Sequence, residues 1–353
     1  MLLEISFLTK FTRMKKSVII PLLFVLVILS GFALYSAAKT MICTPKYNPE
    51  YKGMNLVAPK REINNTTFQE LANNHVNAIS LIPYAFVDMD KAAVIYNNKK
   101  QWWGESTAGI IECIHLAHSH QMKVMLKPHL WVNHQFFTGN LDFETVPEWE
   151  NWETDYEKYI LEYAQIAQDE KVDLFCFGTE LQNPIAKRPQ FWMQLITKIK
   201  KIYTGKLTYA ANWDEYKKVP FWDQLDYIGV DAYFPLSDKE NPSITELEKA
   251  WQKLLPEMET IQKKENKKIL FTEFGYRNSN YAAHEPWTEN NADLNNTAQA
   301  NGYEALFNTF KKQKWYAGGF AWKWYADDYH KKRAIDYTPQ EKPALEIIKK
   351  SYQ

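Results

Sequence analysis

Between residues 53 and 322 the chain repeats one pattern: a short apolar run, then a longer amphipathic stretch. The apolar runs fall at 53–57, 78–82, 123–127, 174–178, 207–211, 227–231, 268–272 and 319–322. Helix-like periodicity occupies 106–120, 152–169, 190–203, 244–264 and 294–313 between them. Strands that read as continuous apolar runs are buried on both faces, so the pattern predicts a parallel sheet covered by helices. Eight runs suit a closed (β/α)8 TIM barrel better than an open doubly wound sheet, and no glycine-rich phosphate loop follows the first of them. No Gly- or Pro-rich linker interrupts 45–353, which therefore reads as a single catalytic-sized α/β domain behind a leader at 1–44.

A barrel of this kind carries its site at the C-terminal ends of its strands. The residues that close the runs are polar and aromatic. Lys127 ends the third run and His129 and Trp131 follow it, Thr179 and Glu180 follow the fourth, and Asn212 and Trp213 the fifth. Tyr233 follows the sixth, Glu273 the seventh, and Trp322 and Trp324 close the eighth. Glu180 and Glu273 stand out because strands four and seven face each other across a barrel mouth. Hydrolysis of an acetal needs one carboxyl to protonate the departing oxygen and a second to attack or stabilise the anomeric carbon. A single strand-end glutamate reads better as a salt bridge or a helix cap than as a catalyst, whereas the pair points to catalysis. Lys127, His129 and Trp131 would line sugar subsites, or serve as a buried ion pair, a core histidine and a packed ring. Asn212 offers both donors and an acceptor to hydroxyls beside the stacking face of Trp213.

The charge balance excludes other partners. Lys plus Arg and Asp plus Glu both total 42, so no net charge draws the chain to nucleic acid. Its 13 Trp, 21 Tyr and 19 Phe exceed what a core of this size requires and lean toward sugar faces, although most individual rings are expected in the core. Three widely spaced cysteines, Cys43, Cys113 and Cys176, indicate neither a disulfide framework nor a zinc site. His115, His118 and His120 share a helix away from the strand ends and lack the His-Glu-x-x-His order. No metal and no cofactor are called for, since a carboxylate pair suffices.

Residues 18–35 form an uncharged stretch behind Lys10, Arg13, Lys15 and Lys16. That length is near the ~18–20 residues that span a bilayer and exceeds the roughly 7–15 of a signal-peptide core. Ser36-Ala37-Ala38 supplies small residues for a signal peptidase. Both a membrane anchor within 18–38 and a cleaved signal fit, and either places the domain outside the cytoplasm.

The segments 175–181, 269–276 and 319–325, with Lys127-Pro128-His129-Leu130-Trp131 and Thr338-Pro339, resemble clan A, the retaining barrel glycosidases with catalytic glutamates on strands four and seven. More closely, the chain resembles glycoside hydrolase family 113, whose known members are β-1,4-mannanases. The resemblance implies that Glu180 is the acid/base, Glu273 the nucleophile, Tyr233 a hydrogen-bond partner that orients the nucleophile, and Trp322 the platform under the sugar. It implies a β-linked polysaccharide or oligosaccharide, of mannan type, as substrate. A β-glucanase, an exo-acting mannosidase and a non-catalytic carbohydrate-binding barrel are the alternatives. One position departs from much of the clan: Thr179 stands where an asparagine usually binds the 2-hydroxyl.

Overall fold

The computed structural model describes residues 48–133, 136–289 and 293–353. The expected leader, with its anchor or signal at 18–38, and Cys43 lie outside the described residues. No described helix is long and apolar enough to cross a membrane.

Eight parallel strands close into a barrel. In chain order they are β1 (Tyr51–Leu56), β2 (Ala78–Leu81), β5 (Lys123–Leu126), β7 (Leu174–Thr179), β8 (Lys206–Asn212), β9 (Tyr227–Asp231), β10 (Lys268–Phe274) and β11 (Tyr316–Trp324). Each begins within three residues of the expected position. Besides the expected helix and barrel strand, the interval 83–131 carries three further strands where only loop was expected: β3 (Tyr84–Asp88), β4 (Ala93–Ile95) and β6 (His129–Trp131). They form a small sheet in the order β4-β3-β6. Because β3 follows β2 and β6 follows β5 after two residues each, this sheet rises directly from the C-terminal ends of neighbouring barrel strands. Three to five residues with alternating burial give too short a signal to distinguish from loop.

The helices are α1 (Thr66–Asn73), α2 (Thr107–Ser119), α3 (Val146–Asp169), α4 (Gln182–Lys187), α5 (Pro189–Ile202), α6 (Ile244–Glu265), α7 (Asn296–Phe310) and α8 (Pro343–Tyr352). Helix α3 starts six residues before its expected position. Thr145 caps it: its hydroxyl accepts from Glu148 N while the Glu148 carboxylate accepts from Thr145 N, a reciprocal box with proline in the first turn.

Two apolar layers hold the barrel. Inside it lie Tyr51, Met125, Leu174, Cys176, Leu270 and Phe320, among others drawn from every barrel strand. Outside it, between strands and helices, most of the aromatic surplus is spent, with Trp152, Trp192, Trp222 and Trp251 fully buried. Closure depends on Gly318, whose φ of +108° is poorly accessible to other residues. A Cβ there would lie 2.0 Å from the Tyr51 carbonyl oxygen, so only glycine lets β11 meet β1 in this register.

Candidate active site

Glu273, near the end of β10, is 6% exposed and held from several sides. Lys127 Nζ lies 2.5 Å from its Oε1, the Tyr233 hydroxyl donates to its Oε2 at 2.7 Å, and His129 Nε2 stands 3.7 Å from Oε1. The pairing of β10 with β9 slips between Phe271 and Glu273, and Ala232 N donates to the Glu273 carbonyl at 2.7 Å. Bulges of this kind re-aim side chains at barrel rims. A similar slip between Cys176 and Thr179 precedes Glu180 on β7.

Lys127 is completely buried and also reaches Asp231 Oδ1 at 3.4 Å. Thr272 Oγ1 donates to the same oxygen at 2.7 Å. Burial disfavours the ammonium, but the two carboxylates outweigh it and hold Lys127 above its ordinary range. Burial pushes Asp231 up to about 7, with Glu273 adding to the shift and Lys127 opposing it. His129 is driven well below its ordinary value by burial and by the Lys127 charge, so it stays neutral.

Glu180 is treated differently. Its backbone is left-handed, with φ +53°, and its N–H donates to the Ala210 carbonyl at 2.8 Å. Its carboxyl forms no ion pair or hydrogen bond among the described residues. Burial raises its pKa well above the ordinary carboxylate range, and the charges of Asp231 and Glu273 add to the rise. One carboxyl is thus clamped beside a cation, and the other, without one, is raised in pKa.

Around the pair, the sugar-contact candidates divide. Trp322 and Trp131 border a recess with Tyr84, Phe86, Trp102 and Glu105. The new sheet supplies this wall, and Phe86 meets Trp131 edge-on at 5.7 Å. Gly275 follows β10, and a Cβ there would meet the Trp322 carbonyl at 2.6 Å, so the close approach of the strand ends fixes the Trp322 backbone. On the other flank, Trp213 is half-buried and stacks on exposed Trp287 at 5.4 Å and 19°. Asn212 spends its Oδ1 on the Trp213 N–H at 2.9 Å, which sets the turn after β8. Thr179 is 9% exposed and its Oγ1 has no partner among the described residues.

Trp324 does not join the site. It is 2% exposed and borders a recess shared with Glu70 and Leu345, toward α1 and α8 and apart from both glutamates. His115, His118 and His120 are turned to Glu170, Asp173 and Asn65 respectively. Asp231 was visible in the sequence only as the end of a strand. Glu105 and Glu215, 7% and 2% exposed, gave no signal there, because a glutamate in a polar turn reads as solvated surface.

Two glutamates at the mouth of a parallel barrel, one clamped by Lys127 and Tyr233 and the other raised in pKa, define the class of barrel glycoside hydrolases. The family model for Glycoside Hydrolase Family 113 matches residues 59–342. The chain belongs to glycoside hydrolase family 113. Among solved structures it is similar to the family 113 β-mannanase AaManA from Alicyclobacillus acidocaldarius in complex with ManMIm, at TM-score 0.75 and 23% identity over 86% of this chain and 97% of that one. A family 113 β-1,4-mannanase complex gives TM-score 0.74 and 23% identity over 86% and 99% of the two chains. The β-glucuronidase of Faecalibacterium prausnitzii shares the fold more distantly, at TM-score 0.58 and 12% identity, over 86% of this chain and 49% of its own. No curated protein sequence matches the chain significantly.

Proposed function

We propose that the enzyme hydrolyses β-1,4-mannosidic linkages with retention of configuration. Glu273 is the nucleophile and Glu180 the acid/base. The unequal environment of the two carboxyls carries this reading. Glu273 attacks the anomeric carbon as Glu180 passes its proton to the departing oxygen, leaving a glycosyl ester on Glu273. Glu180, now ionised, takes a proton from water; the resulting attack on the anomeric carbon breaks the ester and frees Glu273. Tyr233 and Lys127 fix the direction of the Glu273 oxygens. Neutral His129 and the free Thr179 hydroxyl are suited to bonding sugar hydroxyls, and Trp322 to stacking under the ring at the point of cleavage.

Mannan is preferred as substrate because the two family 113 neighbours described above are named as mannanases. Thr179, in place of the usual asparagine, is a fitting partner for the axial 2-hydroxyl of mannose. A panel of mannan, glucan and xylan treated with the purified domain tests both statements. Mannan alone should yield oligosaccharides, and Thr179→Asn should shift the ratio of mannan to glucan hydrolysis. Cleavage of glucan or xylan in preference to mannan contradicts the assignment, and an unchanged ratio removes Thr179 from specificity.

The basic, then uncharged, N-terminal sequence supports action outside the cytoplasm, as an anchored or a processed enzyme.

A further inference from the structure

The backbone at Glu180 is left-handed, and the Leu181 N–H that follows it, just past the end of β7, pairs with no strand. The Tyr209 hydroxyl takes that bond, at 2.6 Å. Tyr209 is itself immobilised: it is fully buried, with Phe177, Trp192, Phe221 and Trp222 around its ring. A hydroxyl that accepts from Leu181 must send its own proton elsewhere, and Glu215 Oε1 receives it at 3.4 Å. Glu215 is tethered from the turn after β8, where its Oε2 accepts from Asn212 N at 3.4 Å and its own N–H donates to the Asn212 carbonyl at 2.9 Å. No cation is paired with it among the described residues.

A buried carboxyl without a counter-charge is an expensive feature to retain for packing alone, since an apolar or amide side chain would fill the same space at lower cost. Its position behind the proposed acid gives it a use. We propose that Glu215, acting through Tyr209 and the Leu181 amide, is a positioning residue that fixes the strained backbone of Glu180 and so aims the acid's carboxyl at the departing oxygen. This rests on the acid/base assignment of Glu180. The carboxyl orients the tyrosine proton, the tyrosine lone pair then faces Leu181, and the peptide that follows Glu180 is locked. The second glutamate is served by a separate set, Lys127, Tyr233 and Asp231, so the two carboxyls are aimed independently.

Leaving-group dependence separates aim from general damage. A 2,4-dinitrophenolate leaves without a proton, whereas a sugar or a 4-methoxyphenolate requires one. For Glu215→Ala and Tyr209→Phe, kcat/KM, which reports formation of the glycosyl ester, should fall at least about tenfold on mannooligosaccharides and on 4-methoxyphenyl β-mannooligosides, a fraction of the full 10²–10⁴ that a general acid supplies. On 2,4-dinitrophenyl β-mannooligosides kcat/KM should fall less than about threefold, because departure of that leaving group needs no proton. Glu215→Gln keeps an acceptor for Tyr209 and should recover most of the loss. Equal losses on both substrates, or none on either, overturn the proposal. Should Glu215→Ala fail to fold, Tyr209→Phe and Glu215→Gln give the same comparison. Glu180→Gln, assayed alongside, must show the leaving-group dependence in full. If it does not, the assignment of Glu180 fails; if it does while the Glu215 and Tyr209 variants resemble wild type, only the positioning role fails.

Discussion

Lys127 is the residue on which the charge balance at the mouth turns. It is the cation between Glu273 and Asp231, and its charge also opposes the upward shift of Glu180. Removing it leaves buried carboxyls without compensation, a change that typically costs about 3–5 kcal/mol. Lys127→Met should therefore lower the denaturation midpoint at pH 7 markedly, and less at pH 4, where Asp231, with its value near 7, is already neutral in the folded protein. It should also move the alkaline limb of the kcat/KM profile upward, because loss of a nearby cation raises the pKa of the acid. A midpoint loss that is equal at both pH values, or an alkaline limb that moves down, contradicts this role. At this scale the sequence disclosed the two glutamates and Lys127 because each lies at the end of an apolar run. It left Asp231 without a role and Glu215 unnoticed, since what distinguishes them is three-dimensional burial next to other charges. Trp324 misled for the same reason: a tryptophan at a strand end suggests a platform, and only the packing turns it toward the helices.

Elements carry the site through the barrel's closure and the irregularities at its rim. The slips in pairing before Glu180 and Glu273 lie in β7 and β10, and another separates Asn55 from Leu56 in β1, opposite Trp322 and Trp324. Regular strands would continue the alternation, whereas these turn side chains into the mouth. The eight barrel strands were legible because parallel strands are apolar throughout. The sheet of β3, β4 and β6 was not, because its few residues alternate in burial and β6 joins β3 only across a distant stretch of chain. Closure is the feature most open to a single substitution. Gly318→Ala forces a left-handed, crowded Cβ onto the Tyr51 carbonyl, and strain of this kind costs roughly 1–3 kcal/mol before any clash is counted. A drop of several degrees in Tm is expected, with larger losses of activity near the melting range than at low temperature. A variant as stable as wild type would show that β11 can meet β1 in another register.

For the whole molecule, the family, the barrel and the paired carboxyls agree on glycoside hydrolysis, while the N-terminal sequence bears on where it happens. Export predicts that the protein, expressed in its own host, is recovered outside the cytoplasm. A mature chain starting near residues 37–40 would indicate processing, and an intact chain in the membrane fraction would indicate an anchor. An intact chain in the soluble cytoplasm contradicts export altogether. The division of labour between Glu180 and Glu273 is tested most directly by azide rescue of Glu180→Ala and Glu273→Ala on an activated aryl β-mannooligoside, with the anomer of each product read by NMR. The double displacement proposed for this barrel predicts a β-glycosyl azide from the Glu180 variant, where azide replaces the deprotonated acid/base in the second step. It predicts an inverted α-glycosyl azide from the Glu273 variant, where azide takes the place of the nucleophile. The opposite assignment of anomers, or the same anomer from both, would contradict it.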